Sequence, residues 1–286
     1  MAAIALMCVA VFCFSLLDAS AKMLVGVMGL PVAVVIWMRF VVHGVLNVVI
    51  MGPHRLARLM ASSKPGLQLL RALLLSGATL FNFFAIKHLR LDQTATVFFL
   101  TPLVVAALAG PLLGEWVGWH RLLAIMTGFL GVLLVMRPGF GGIHWAIGYS
   151  FCSMFSYALY SISTRYLAAH DPSEVTQFYS PIAGIVCLAP FALASWQWPT
   201  ELAHWLLLMS IGVYGAFGHW LLILAHRQAP APTLSPFTYT GLVWMTVFGF
   251  LFFGDVPDVW TLAGGLIVIG SGLYLLYRER QRGAVS

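Results

Sequence analysis

Apolar runs of about 20 residues follow one another through the chain, separated by short breaks of polar, Gly or Pro residues. A run of that length spans a bilayer core about 30 Å thick as a helix, the form in which a lipid-exposed backbone satisfies its own hydrogen bonds. The runs lie near residues 2–24, 31–51, 66–88, 91–113, 119–136, 145–167, 174–195, 202–225, 231–253 and 259–277. They predict an all-α membrane protein of ten transmembrane helices. Of 286 residues, 61% are hydrophobic and 8% are charged, which excludes a soluble domain and leaves no length for a large extramembrane one. The first run has no basic segment before it and a polar stripe inside it, so it reads as a span rather than a cleaved signal peptide. Pro31 and Pro172 fall at or just before helix starts, and Gly52-Pro53 and Pro138-Gly139 mark turns.

The net charge of +6 invites comparison with nucleic-acid binders, but no segment combines basic residues with interleaved aromatics, so no nucleic-acid partner is expected. The charge reads better as topology. With the N-terminus inside, one side of the membrane collects Arg55, Arg58, Lys64, Arg71, Arg121, Arg165, Arg227, Arg278, Arg280 and Arg282, and the other collects Lys87, Arg90 and Arg137. Basic residues accumulate in short cytoplasmic loops, so both termini are expected in the cytoplasm. Trp145, Trp196, Trp198, Trp205 and Trp260 fall at outer helix ends and Trp116 and Trp119 at an inner one, the depth that suits an amphipathic ring. Cys8, Cys13, Cys152 and Cys187 all sit in apolar runs with no ligand spacing, so they read as small hydrophobes, and neither metal nor cofactor is expected.

The chain also divides into two copies of one five-helix pattern, residues 1–140 and 141–286, the second ending in a short basic tail. A shift of 140 sets Ala85-Ile86-Lys87 over Ala225-His226-Arg227 and Gly114-Glu115 over Gly254-Asp255, and a shift of 141 sets Gly131 over Gly272 and Arg137 over Arg278. Because five is odd, the second copy enters the membrane from the opposite side. Inverted repeats of this kind are the architecture of many secondary transporters, with the site near the midplane between them.

The residues of one stretch also bear a family resemblance. From Ala85 the sequence AIKHLRLDQTATVFFLTPLVVAALAGPLLGE, followed by GFLGVLLVMRPG to Gly139, resembles the fourth and fifth helices of EamA-type members of the drug/metabolite transporter superfamily. Arg39-Phe40 in the second span, and Gly254-Asp255 followed by GLIVIGSGLYLL in the tenth, fit the same pattern. Within that family the chain is most similar to the YddG-like amino-acid exporters. The resemblance implies cytoplasmic termini, a central cavity, alternating access and outward movement of amino acids. Where the family has Glu after the ninth helix this chain has Asp255, and Glu115 ends the fourth.

Ionisable groups inside a membrane are costly, so each is a candidate for function. Ser15, Asp18 and Lys22 share a face of helix 1, and Arg39, His43 and Asn47 share a face of helix 2. Asp18 and Arg39 fall at similar depth, roughly 8–12 Å from the outer boundary at 1.5 Å per residue, and two readings stand. They form a structural salt bridge across the hairpin, or Asp18 holds a substrate amine or a proton. Thr79 and Asn82 on helix 3, Phe98 and Thr101 on helix 4, and Ser156, Tyr157 and Tyr160 on helix 6 add hydroxyl and aromatic faces. His219 and Trp220 on helix 8, with Tyr239, Thr240 and Trp244 on helix 9, extend them. Such faces describe a weakly polar pocket rich in π surface, although hydroxyls at ordinary helix contacts look the same one residue at a time. The Gly212, Gly215, Gly218 face of helix 8 suits close helix packing or close ligand approach. His43 and His219 are proton-carrier candidates, and Pro102, near the middle of helix 4, predicts a kink that frees the carbonyl of Phe98.

No paired carboxylates, metal spacing, Ser-His-Asp set or phosphate loop supports catalysis. The expected function is a multi-pass bacterial inner-membrane secondary transporter of small neutral or zwitterionic metabolites, exporting amino acids that include aromatic and other apolar ones. An intramembrane enzyme acting on a lipid-soluble substrate is the alternative from another class, and an exporter of drugs or other metabolites the alternative within the class. The topology gives the first test: of Ser62→Cys, Ser286→Cys and Gly142→Cys, the first two should label only from the cytoplasm and the third only from outside. Labelling of the Ser62 and Gly142 variants from one side would remove the odd-repeat argument.

Overall fold

The computed structural model of the chain describes residues 2–89, 94, 97–98, 100–136, 145–199, 201–254, 256 and 259–283. Those residues are helical apart from connections. In chain order the α-helices are α1 (Ala2–Lys22), α2 (Val32–Met51), α3 (Leu56–Met60), α4 (Pro65–His88), α5 (Thr101–Leu113), α6 (Trp119–Met136) and α7 (Ile147–Leu167). There follow α8 (Ser173–Tyr179), α9 (Ile182–Ala194), α10 (Leu202–Gln228), α11 (Ala231–Leu234), α12 (Thr240–Phe253) and α13 (Val259–Gly283). Helix is thus found within all ten of the expected stretches. Six helical runs, Ala2–Val27, Val32–Met51, Pro65–His88, Ser173–Ala194, Leu202–Gln228 and Ala231–Phe253, are long and apolar enough to cross a membrane. Large apolar side chains such as Val186, Phe191, Phe217, Leu251 and Leu266 are exposed on these helices and on α13, the surface expected of a bundle whose solvent on the outside is lipid.

Prolines break the runs where the sequence puts them, with one difference. The seventh run divides at Ser180-Pro181 into α8 and α9. The ninth passes through a 3-10 turn at Ser235–Tyr239, around Pro236, before α12 begins. In the fourth, Pro102 lies in the first turn of α5 and not at mid-helix, and there its missing N–H costs nothing. The carbonyl of Phe98 is still taken, because the hydroxyl of Thr101 donates to it. The second half repeats the device: the Ser235 hydroxyl, just before Pro236, donates at 3.5 Å to the carbonyl of Pro232, while Thr238 and Thr240 donate to the carbonyls of Ser235 and Phe237, each at 2.7 Å. In a medium without water, such hydroxyls satisfy the backbone that proline disturbs.

The core is built on α10, which packs against α1 and α2, while α4 lies on α7 and α6 on α13. The glycine face of α10 lies in this packing. A Cβ at Gly212 would lie 2.3 Å from the Cβ of Val42, and one at Gly218 would lie 2.6 Å from the ring of Phe14. At Gly215 it would meet Arg39 Nε at 3.3 Å. The stripe is therefore a helix contact, and at Gly215 it also seats the arginine of α2. On α9, Gly184 accommodates Phe40, whose ring would lie 2.2 Å from an added Cβ, whereas Gly148 on α7 has nothing within 4 Å. Gly184→Leu should therefore lower stability by about 1–3 kcal/mol or prevent folding. Gly148→Ala should leave the melting temperature unchanged or slightly raised. Melting in detergent, followed by tryptophan fluorescence, tests both.

Candidate substrate site

Seven segments converge on one cavity. Its walls carry Phe14, Ser15 and Asp18 from α1, Arg39 from α2, Thr79, Asn82 and Phe83 from α4, and Ser153 and Tyr157 from α7. His219 of α10, Thr94 and Phe98 ahead of α5, and Thr238, Gly241 and Met245 around the start of α12 complete it. Apolar groups dominate, and the polar ones fall in two places. At one, Asn82 Nδ2 donates to Asp18 Oδ1 at 3.0 Å, and Asp18 Oδ2 takes no hydrogen bond among the described residues. At the other, the buried guanidinium of Arg39 donates through Nη1 to the hydroxyl of Thr79 and through Nη2 to His219 Nε2, the latter at 3.0 Å.

This arrangement corrects the expected pair. Asp18 and Arg39 line the same cavity, but no ion pair joins them; among the described residues the ion pair found links Arg165 to Glu115 at 2.6 Å. The reason is α4. Its Thr79 and Asn82, three residues apart and so on one face, reach between the α1–α2 hairpin partners and give each charged group a neutral hydrogen bond instead.

Beneath Arg39 lies a second buried guanidinium, which the charge count placed on the cytoplasmic side. Arg71 of α4 is fully buried and donates to the Thr164 hydroxyl (2.7 Å), the Thr176 carbonyl (3.2 Å), the Ser180 hydroxyl (3.0 Å) and the Tyr160 hydroxyl (2.8 Å). The signal for it was present: Gln68, Arg71, Leu75, Thr79 and Asn82 recur at three- and four-residue steps. Tyr160 connects the two arginines, because its hydroxyl also lies 2.9 Å from His219 Nδ1. Behind His219, the ring of His43 is stacked parallel at 5.9 Å, and His43 Nε2 accepts from Gln177 at 2.8 Å.

Of the expected site residues, the cavity brings together Ser15, Asp18, Thr79, Asn82, Phe98, Tyr157 and His219, with Arg39. Others lie elsewhere. Tyr160 and His43 are behind the wall, and Ser156 faces Gly77. Thr101 is spent on the carbonyl of Phe98. Trp220 turns the other way, lining a separate cavity with Asn47, Arg55 and Gln177. Tyr239 fills the space that Gly128 leaves and donates to the carbonyl of Ile125 at 3.3 Å, and Trp244 packs edge-on against Phe12. Thr240 bonds the carbonyl of Phe237 and faces a third cavity, beside Cys8. The helical phase of the ninth run explains the misses at Tyr239, Thr240 and Trp244, since its proline-centred 3-10 turn rotates everything after Pro236 relative to an ideal helix. Asp255 lies outside the described residues.

The end of the bundle away from the cavity is held by two polar clasps. Gln68 and Asn82 are fourteen residues apart on α4, about 21 Å along the axis. Glu115, after α5, accepts from Arg165 Nε and from the backbone N–H of Ala231 at 3.0 Å, while Arg165 Nη1 donates to the carbonyl of His226 at 2.7 Å. In the turn after α7, Asp171 accepts from the Ser62 hydroxyl, the Ser63 N–H and hydroxyl (both 2.8 Å) and Gln68 Nε2 (2.8 Å). Burial pushes the Asp171 carboxyl upward, but the bonds from Ser62, Gln68 and Ser63 outweigh it and hold the group below its ordinary range.

The comparisons with known proteins agree with this architecture. Residues 1–137 and 144–278 both match the EamA-like transporter family, and the chain belongs to it. It is therefore a membrane transporter of small molecules rather than an enzyme. It is 27% identical to the S-adenosylmethionine uptake transporter of Rickettsia bellii, over 77% of this chain and 75% of that one. It is 25% identical to the riboflavin transporter of Brucella anthropi, over 88% and 90%. To the pseudopaline exporter CntI of Pseudomonas aeruginosa it is 26% identical, over 65% and 66%. A solved crystal structure superposes with a TM-score of 0.73 at 16% identity, covering 96% of this chain and 98% of that one, and so shares the fold.

A carboxyl whose folded-state pKa is depressed stabilises the fold above its unfolded-state value, near 4, and that contribution is lost as pH falls through the folded-state value. Asp171→Asn should therefore melt below the parent at pH 7. The gap should close as the pH is taken below about 4, and an equal gap at both ends would contradict the clasp.

Proposed function

We propose that the chain moves small zwitterionic metabolites, amino acids with apolar or aromatic side chains foremost, by alternating access through the cavity between α1, α2, α4, α7, α10 and α12. The observation that carries the proposal is the pair of opposite charges in one apolar cavity that do not bond each other. Asp18 has an unspent carboxylate oxygen for an ammonium group. Arg39 spends two of its five donors on Thr79 and His219 and meets no carboxylate among the described residues, so it can take one from substrate. Phe14, Phe83, Phe98, Tyr157 and Met245 then offer an apolar and aromatic surface to a side chain. An anionic phosphate ester would place its charges against Asp18 and find one arginine, a poor match.

The surrounding architecture in this proposal is ten spans in two inverted repeats, 1–140 and 141–286, with both termini in the cytoplasm of a bacterial inner membrane. The odd helix number of each half, the two family matches and the asymmetry of basic residues support it. The clasps at Glu115 and Asp171 then close the cytoplasmic end while the cavity lies toward the outside. The relatives named above include uptake transporters and an exporter, and they carry S-adenosylmethionine, riboflavin or pseudopaline; neither amino-acid specificity nor direction follows from family membership. The substrate class rests on the cavity.

Proteoliposome uptake of labelled L-phenylalanine tests the charge pair directly. Excess unlabelled L-phenylalanine should compete, whereas phenethylamine and 3-phenylpropionate, each lacking one charge, should compete at least ten times more weakly. Asp18→Asn should raise KM about tenfold or more, and Asn82→Leu should do so to a smaller degree. Equal competition by all three ligands, or transport indifferent to Asp18→Asn, would remove the zwitterion reading.

A further inference from the structure

The hydrogen bonds around His219 have a single consistent assignment. A guanidinium donates and never accepts. The 3.0 Å contact between Arg39 Nη2 and His219 Nε2 therefore runs from arginine to histidine, and Nε2 offers a lone pair. The one ring proton then sits on Nδ1, 2.9 Å from the Tyr160 hydroxyl, whose oxygen also accepts from Arg71 Nη2 at 2.8 Å. His219 is held as one neutral tautomer between two arginines, one in direct contact and one acting through Tyr160. A second proton has one place to enter, Nε2, and Arg39 occupies it.

The charges near the ring act in the same direction. Facing it are Arg39 and His43 from α2 and Arg71 with Tyr160 from α4 and α7; Asp18 and Tyr157 stand on the walls of the cavity it lines. Phe14 of α1 packs on it at 4.7 Å, and on its own helix α10 the nearest titratable groups are Tyr214, five residues before, and His226, seven residues on. Neither arginine is bonded to a carboxylate among the described residues, so an imidazolium would add a third positive charge to a buried cluster.

We infer that His219 is a proton site coupled to substrate: a substrate carboxylate that draws Arg39 Nη2 to itself frees His219 Nε2 and neutralises the adjacent charge, and His219 then binds a proton. The proton comes from water in the cavity and adds to the Nε2 lone pair; the Nδ1–H bond to Tyr160 stays, and no covalent bond of the substrate changes. The inference rests on the zwitterion reading. It has a consequence for direction. Loaded carrier holds a proton and empty carrier does not, so substrate and proton cross together, and an inward proton gradient drives uptake, opposite to the export implied by the resemblance to YddG-like exporters.

Purified protein is mixed with each of the common L-amino acids, binding is read by thermal shift, and the ligand that stabilises most is used for proton counting with a pH dye in weak buffer. The parent should take up about one proton per ligand bound at pH 7. His219→Gln, whose amide can still accept from Arg39, should bind with no proton uptake. Binding by the parent without proton uptake, or equal uptake by His219→Gln, overturns the coupling and leaves the zwitterion reading intact. Failure of every amino acid to bind overturns both. If His219→Gln does not fold, the parent decides alone: in proteoliposomes an acidic exterior should speed uptake several-fold and drive accumulation above the external concentration, and uptake indifferent to the gradient overturns the coupling.

Discussion

Two guanidinium groups lie inside an apolar bundle with no carboxylate among the described residues bonded to either, and the arrangement of the helices around them follows from that. A buried cation costs several kcal/mol unless its donors are spent on acceptors at good geometry. Arg71 draws its acceptors from α7, α8 and the Ser180 break, and Arg39 draws its own from α4 and α10. Satisfying them fixes the relative rotation of those helices, since a slip of one residue on any would carry a hydroxyl or an imidazole out of reach. The cavity lies on one side of this network, where Arg39 is the last member.

The neutral character of the network matters for chemistry as much as for folding. Hydroxyls, a backbone carbonyl and an imidazole solvate the guanidinium groups without cancelling their charge, so the positive potential persists at the cavity wall. Asp18, bonded to an amide that likewise leaves its charge intact, sets the opposite potential on α1. Had the two formed the salt bridge that their depths suggest, the cavity would hold neither pole.

The helices were legible in the sequence because lipid enforces length and apolarity, and helix lies within each run that was read. The faces of α1, α2 and α4 were legible too: Ser15, Asp18, Arg39, Thr79 and Asn82 recur at helical steps in uninterrupted helices, and all reach the cavity. Three things escaped. Arg71 passed for a charge at the cytoplasmic side because a side chain six residues past Pro65, where α4 begins, gives no sign that hydroxyls from α7 and the Ser180 break await it. The Asp18–Arg39 pair was drawn from two helices alone, and the partners that replaced it came from a third. Tyr239, Thr240 and Trp244 were placed on an ideal helix, whereas the turn around Pro236 changes the phase, which spacing cannot report.

The seam along α10 bears on how such a molecule moves. With Val42 and Phe14 lodged in the spaces that Gly212 and Gly218 vacate, α1, α2 and α10 interlock at near-contact distance and have no room to slide. In the alternating access proposed above they would form the fixed block. The segments with slack are those where proline has traded a backbone hydrogen bond for a hydroxyl: the approach to α5, where Thr101 takes the Phe98 carbonyl beside Pro102, and the entry to α12, where Ser235 takes the Pro232 carbonyl beside Pro236. A hydroxyl rotor can exchange one carbonyl for another at little cost, so these two joints, one in each half of the chain, are where a rocking arm would pivot against the fixed block.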